Sequence, residues 1–196
     1  MIKKTNSSAV IKYEHNSNAF GWPWDYQAKQ SFSLKDLECT MELTVKNKSN
    51  INMPFGFGIH PFFNFDDEIE LKFKAEREWI GPPEDFPIKT KLVKNNFNIN
   101  DGNKLWKLEK TVCYENFEGE VQILWVNKNK KIKIKADKIF NHLIVHVPKG
   151  GKYFCIEPVS HPTDSFNLVH KKIENIKNQF LKPNESFTGS IKIGVN

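Results

Sequence analysis

Apolar residues recur at every second position in several separate stretches of this chain. That period constrains the fold more than any other feature. Met41, Leu43 and Val45 alternate with Glu42, Thr44 and Lys46, and Ile69, Leu71 and Phe73 alternate with Glu70, Lys72 and Lys74. Val121, Ile123 and Trp125 repeat the pattern, as do Ile132, Ile134 and Ala136, and Ile191, Ile193 and Val195. Successive side chains of a strand point to opposite faces, so a period of two marks half-buried strands. Further strands are expected over 9–14, 30–34 and 140–147 and around Glu157. Turn-forming runs lie between them, such as Asn47-Lys48-Ser49-Asn50 and Pro148-Lys149-Gly150-Gly151. The stretches 81–87 and 95–104 read as loop, and 161–182 as loop with one short helical turn. Short alternating strands divided by turns imply an all-β sandwich or barrel.

The 196 residues suit a single domain over 1–196, and 39% hydrophobic content with sixteen Phe can fill a sizeable core. No window reaches the roughly 18 apolar residues of a spanning helix, so no membrane partner is expected. The basic start Met1-Ile2-Lys3-Lys4 is followed by no apolar run, so no signal peptide is expected. Cys39, Cys113 and Cys155 are odd in number and far apart, which argues against a disulfide framework. A soluble, cytoplasmic protein is the expectation. The formal charge of +6 comes almost entirely from Lys, with Arg77 the only arginine. Arginine is the residue that best reads phosphate and guanine. The densest basic run, 128–135, ends by alternating Lys with Ile, as one solvated strand face does. Nucleic acid is therefore not an expected partner.

Two stretches carry candidate chemistry. In Gly56-Phe57-Gly58-Ile59-His60-Pro61-Phe62-Phe63, a strand would place Gly56, Gly58 and His60 on one face. Glycines there mark close approach of a ligand or another backbone. In Cys155-Ile156-Glu157-Pro158-Val159-Ser160-His161-Pro162, Glu157 precedes a proline, as His60 does. That position is biased toward extended backbone. A histidine and a carboxylate on restrained supports can serve as a general acid/base pair. Residues of a β core satisfied in place are the other reading. His142 and His146, four apart on a strand, would stand about 13 Å from each other, too far for one metal. No His-Glu-x-x-His and no paired cysteines are present, so no metal is expected. Ser160, His161 and Asp164 are contiguous and lack a nucleophile elbow, so they are not read as a triad. No phosphate-cradling glycine loop occurs, and no cofactor is expected. The aromatic loop Phe20-Gly21-Trp22-Pro23-Trp24-Asp25-Tyr26 is a weak pointer to carbohydrate.

Met53-Pro54-Phe55-Gly56-Phe57-Gly58-Ile59-His60-Pro61-Phe62-Phe63 resembles the histidine motif of the aldose 1-epimerases, the galactose mutarotase family. The stretch from Cys155 to Asn167 resembles that family's glutamate motif. Three shorter matches follow in the family's order: Trp22–Tyr26, Leu43–Asn47, and Leu181–Ser186, with Asn184 where glycine is usual. The resemblance implies an antiparallel β-sandwich of the galactose mutarotase-like type, and interconversion of the α and β anomers of a free monosaccharide. It implies Glu157 as general base on the anomeric hydroxyl and His60 as general acid on the ring oxygen, with Phe62 and Tyr114 as sugar contacts. The family often has a sugar-contacting aspartate three residues before a phenylalanine. Tyr114 holds that place, and Glu115 would substitute only from the opposite strand face.

The resemblance also implies an N-terminally shortened domain. The family's usual first part, with an arginine and a His-Gly motif, has no counterpart here. Self-association, or pairing with a complementing N-terminal chain, is the corresponding expectation, because an open sheet edge seeks a partner. A small sugar is the expected ligand. The rival reading is a non-catalytic carbohydrate-binding or interaction domain derived from that family.

Overall fold

The computed structural model describes residues 3–17, 21–81, 87–93, 98–99 (backbone only), 105, 108–173, 176 and 179–195. Most of the 81–87 and 95–104 stretches, and Phe20 of the aromatic loop, lie outside the described residues. Seventeen strands and one short helix are found among those described. The strands are β1 (Lys3–Lys4), β2 (Ser8–His15), β3 (Tyr26–Lys35), β4 (Glu38–Asn47), β5 (Met53–Phe55), β6 (Phe62–Asn64), β7 (Ile69–Phe73), β8 (Arg77–Ile80) and β9 (Lys89–Leu92). They continue with β10 (Asn98–Ile99), β11 (Thr111–Glu115), β12 (Glu120–Trp125), β13 (Lys130–Ala136), β14 (His142–His146), β15 (Tyr153–Val159), β16 (Gln179–Leu181) and β17 (Ser186–Val195). Helix α1 spans Ser165–His170.

The described strands form antiparallel sheets only. The larger runs β1-β2-β3-β4-β17-β13-β12-β7-β10, the second runs β6-β15-β14-β11-β8-β9, and β16 pairs with β5 alone. The alternation read from the sequence explains the packing. Ile69 and Leu71 of β7, Val121 and Ile123 of β12, and Ile134 of β13 point inward and are fully buried. They meet Phe63, Val112, Leu143, Val145, Phe154 and Ile156 from the second sheet. Two antiparallel sheets packed face to face over one apolar layer make an all-β sandwich, one of the two architectures that the alternation implied.

The outer face of the second sheet has its own cover. Trp79, Cys113 and Ile144 are on that face, and Leu168 of α1 packs on them together with Ile173 and Ile176. The β2–β4 end of the larger sheet is less closely covered, with Ile11 and Tyr13 exposed. Its inner face, with Ile11, Tyr13, Tyr26, Leu43 and Val45, lines an apolar cleft of about 720 Å³ closed on its far side by Phe55, Phe57 and Phe166.

Three of the shorter sequence matches are structural ties. Asn47 is fully buried. Its side chain donates to the carbonyls of Ile51 (2.8 Å) and Leu181 (3.0 Å) and accepts from the Ser49 amide (2.9 Å). The backbone of Asn47 bonds to Glu185 and Asn184, so the turn after β4 and the closing turn before β17 are stitched together. Asn184 has φ +64°, the left-handed region that asparagine tolerates best after glycine. In the Trp22–Tyr26 segment, the Trp24 indole donates to the Asn52 carbonyl and the Trp22 carbonyl faces His15 Nε2.

Candidate acid–base site

Met53 to Phe63 does not form one continuous strand. β5 and β6 flank an irregular link, and the two glycines serve packing. A Cβ on Gly58 would fall 2.5 Å from Val159 Cγ1 and 2.9 Å from the Pro158 carbonyl oxygen. A Cβ on Gly56 would strike the His161 ring. The close approach is therefore to the second motif itself. The Phe57 amide donates to Ser160 Oγ (3.0 Å), the Ser160 amide to the Phe57 carbonyl (2.9 Å), and the Ile59 amide to the Pro158 carbonyl (3.3 Å). Hydrogen bonds across some hundred residues thus set His60 beside β15.

The outcome is a pair. His60 Nε2 lies 3.4 Å from Glu157 Oε1, with the histidine side chain 55% exposed and the glutamate 10%. Burial raises the Glu157 pKa above the ordinary carboxylate range, and the nearby His60 opposes that rise. One partner faces solvent and the other is nearly dry. That arrangement suits proton exchange with a ligand seated over both.

Strand register identifies their neighbours. Cys155 is paired with Phe62 on one side and His146 on the other, and His146 with Thr111. These side chains, with Tyr153 and Glu157, share the outer face of the second sheet. Phe62 is 63% exposed and stacks on His60, with ring centroids 4.7 Å apart and planes 14° from parallel. Tyr153 leans on Phe62 at 5.1 Å, and His146 lies 6.3 Å beyond it. The Thr111 hydroxyl and His146 Nδ1 are 2.7 Å apart. An exposed aromatic ledge therefore borders the pair. Phe62 is part of it. Tyr153 and His146 were missed, although Tyr153 shares the parity of Glu157 on β15.

Tyr114 requires a correction. Its register with Leu143 turns it to the inner face, where it is 1% exposed and meets the Phe73 ring edge-on at 5.0 Å. It cannot touch a ligand at His60 and Glu157. The parity argument selects Glu115 instead. Glu115 is paired with His142 and shares the face of Glu157. Burial raises the Glu115 pKa, while Arg77 across the strand pair lowers it.

Other sequence candidates fall into place. His142 is buried, and desolvation with repulsion from His161 pushes its pKa down to about 4. His142 and His146 lie at the two ends of β14, as the strand reading required. Ser160 Oγ stands 3.1 Å from His161 Nδ1, but Asp164 accepts instead from Asn167 Nδ2 at 2.6 Å, so no triad forms. Arg77 Nε donates to Thr90 Oγ1. One cluster with metal-ligating atoms is present among the described residues: His60, Cys155 and Glu157, whose donor atoms lie within 4.8 Å of one another. The apolar cleft on β2–β4 includes neither His60 nor Glu157.

The β-sandwich thus brings a histidine and a buried glutamate together from two separated motifs. The chain belongs to the aldose 1-epimerase family, whose model matches residues 1–194. It is 22% identical to the uncharacterized protein YphB of Escherichia coli, over 99% of this chain and 67% of that one. Its fold is similar to a crystal structure from E. coli K12 provisionally described as an aldose 1-epimerase, with TM-score 0.80 and 20% identity over 100% of this chain and 67% of that one. It is also similar to a galactose mutarotase-like protein from Clostridium acetobutylicum, with TM-score 0.80 and 18% identity over 99% and 64%. The chain thus spans about two-thirds of the length of these relatives. No helix among the described residues is long and apolar enough to cross a membrane.

Proposed function

We propose that this chain is an aldose 1-epimerase-type isomerase that interconverts the anomers of a free monosaccharide. The 3.4 Å approach of His60 to Glu157 is the observation that supports it. Glu157 takes the proton of the anomeric hydroxyl while His60 protonates the ring oxygen. The C1–ring-oxygen bond breaks, the aldehyde end rotates, and reclosure with the roles reversed gives the other anomer. The raised pKa of Glu157 makes it the better base, and the ledge of Phe62 and Tyr153 offers apolar faces to a sugar ring. His60, Glu157 and Phe62 carry the site in this reading.

Residues 1–196 act here as one domain equivalent to the later two-thirds of the family's. The proposal includes self-association or a complementing chain, supported by the exposed Ile11 and Tyr13 at the apolar cleft on β2–β4. A monodisperse monomer in light scattering would count against that part. Three free cysteines support a cytoplasmic setting.

Polarimetry on freshly dissolved α-D-glucose and α-D-galactose tests the activity. The wild type should relax the rotation faster than buffer, and Glu157→Gln should lose about 10²–10⁴-fold of that rate. Equal rates for wild type, variant and buffer would leave a sugar-binding remnant instead.

A further inference from the structure

We propose that His60, Cys155 and Glu157 form a binding site for a thiophilic divalent cation of the zinc class. An imidazole nitrogen, a thiol sulfur and a carboxylate oxygen lie within 4.8 Å of one another. Their supports differ usefully. Cys155 and Glu157 are two residues apart on β15, so both point to the same face of a strand held by β14 from Cys155 to Val159. Two ligands are therefore positioned in advance. His60 hangs from the irregular link between β5 and β6 and is half exposed, so it is free to close on an ion from the solvent side.

The donor set selects the class of cation. Calcium and magnesium demand oxygen ligands, whereas a sulfur, a nitrogen and one carboxylate oxygen suit zinc and its neighbours. Zinc binds these donors at about 2.0–2.3 Å, which places ligand atoms roughly 3.3–3.8 Å apart around a tetrahedron. The His60–Glu157 separation of 3.4 Å already meets that spacing. Closing the remaining distances takes about one ångström. Three protein ligands leave a fourth position to water or to a sugar hydroxyl. On binding, the Cys155 thiol gives its proton to solvent, and the thiolate sulfur donates its electron pair to the ion. No electron changes hands and no other bond breaks.

A bound ion occupies the nitrogen of His60 and an oxygen of Glu157, the two atoms assigned to proton transfer. The cation and the sugar reaction then exclude each other. The site itself stands independently of the epimerase reading, and only this antagonism rests on it.

The test is calorimetric and spectroscopic. Metal-stripped protein is titrated with Zn²⁺ by isothermal titration calorimetry and with Co²⁺ by absorption. One ion per chain is expected, with a sulfur-to-cobalt charge-transfer band in the near ultraviolet. Cys155→Ser should abolish that band, and both Cys155→Ser and His60→Ala should weaken zinc binding at least tenfold, since losing even an outer-sphere partner costs that much. His60→Ala removes a half-exposed side chain outside the core, so it decides the matter if Cys155→Ser fails to fold. A cobalt spectrum without the sulfur band, or zinc affinity unchanged in His60→Ala, overturns the site. Anomer relaxation with and without Zn²⁺ is read separately. Activity lost on zinc saturation supports the antagonism, and activity that persists overturns it. A chain inactive even without metal defeats the epimerase reading while the calorimetry still judges the cation site.

Discussion

The two ends of the larger sheet obey the same sequence rule and meet different fates. At the β7–β12–β13 end, every second residue is apolar, and Ile69, Leu71, Val121, Ile123 and Ile134 reach zero exposure under the second sheet. At the β2–β4 end β4 keeps the alternation and Ile11 and Tyr13 share the face of Leu43 and Val45, yet Ile11 is 41% and Tyr13 48% exposed. The period fixes which face is apolar. It says nothing of what lies against that face, because the covering layer comes from elsewhere in the chain or from another one. His60 and Glu157 sit with the covered end, Glu157 on β15 and His60 on the link between β5 and β6.

That contrast can be broken by mutation, and the largest effect belongs to the covered end. Phe154→Ala removes a fully buried ring packed on Phe63 and Trp125 and should cost about 3–5 kcal/mol in a urea unfolding curve. A loss below about 1 kcal/mol would show that the sandwich interior is not the rigid half.

His142 gives the next effect, through pH. Its pKa is held down to about 4 in the folded chain, against about 6.5 when unfolded. The unfolded state therefore binds the extra proton first. Stability present above pH 6.5 should fall by roughly 3 kcal/mol as pH drops toward 4. Urea midpoints measured across that window should fall less steeply in His142→Gln, and parallel profiles would remove His142 as the cause.

Gly58→Ala probes the seam between the motifs. The new methyl meets Val159 and the Pro158 carbonyl, so about 1–3 kcal/mol of stability should go, together with part of the anomer-relaxation rate as His60 is displaced. Unchanged stability and rate would show that the seam has slack.

The open end should give the smallest effect on stability. Tyr13→Ser removes a half-exposed ring and should move stability by about 0.5 kcal/mol or less. Its influence should appear instead in light scattering, as weaker association. A loss of several kcal/mol would mean that the open face is internally packed after all.

The sequence made the class of fold plain because period-two alternation survives without knowledge of partners. It gave His60 and Glu157 through two motifs rather than through physics, since no local pattern says that residues a hundred apart will meet. Tyr114 failed on parity, which strand register settles and sequence alone does not. Cys155 was within reach of the same argument, two residues before Glu157 and so on the same face. Strands β8 and β9 escaped notice because Arg77-Glu78-Trp79-Ile80 and Lys89-Thr90-Lys91-Leu92 are too short and too charged to show a period. The cover of Leu168, Ile173 and Ile176 was illegible because a six-residue helix has too few turns to reveal a face.

The position of β17 has a consequence for how the protein is made. It is the last strand in sequence among those described, yet it lies between β4 and β13, paired along most of its length with β4 and over Ile191–Val195 with β13. Until Ser186–Val195 leaves the ribosome, the larger sheet exists as two pieces, each with a bare strand edge facing a gap. A nascent chain in that state offers two templates for pairing with its neighbours, and long-range pairing of this kind is slow. Loss of Ser186–Val195 would remove the strand that joins the open end of the molecule to the end that carries His60 and Glu157.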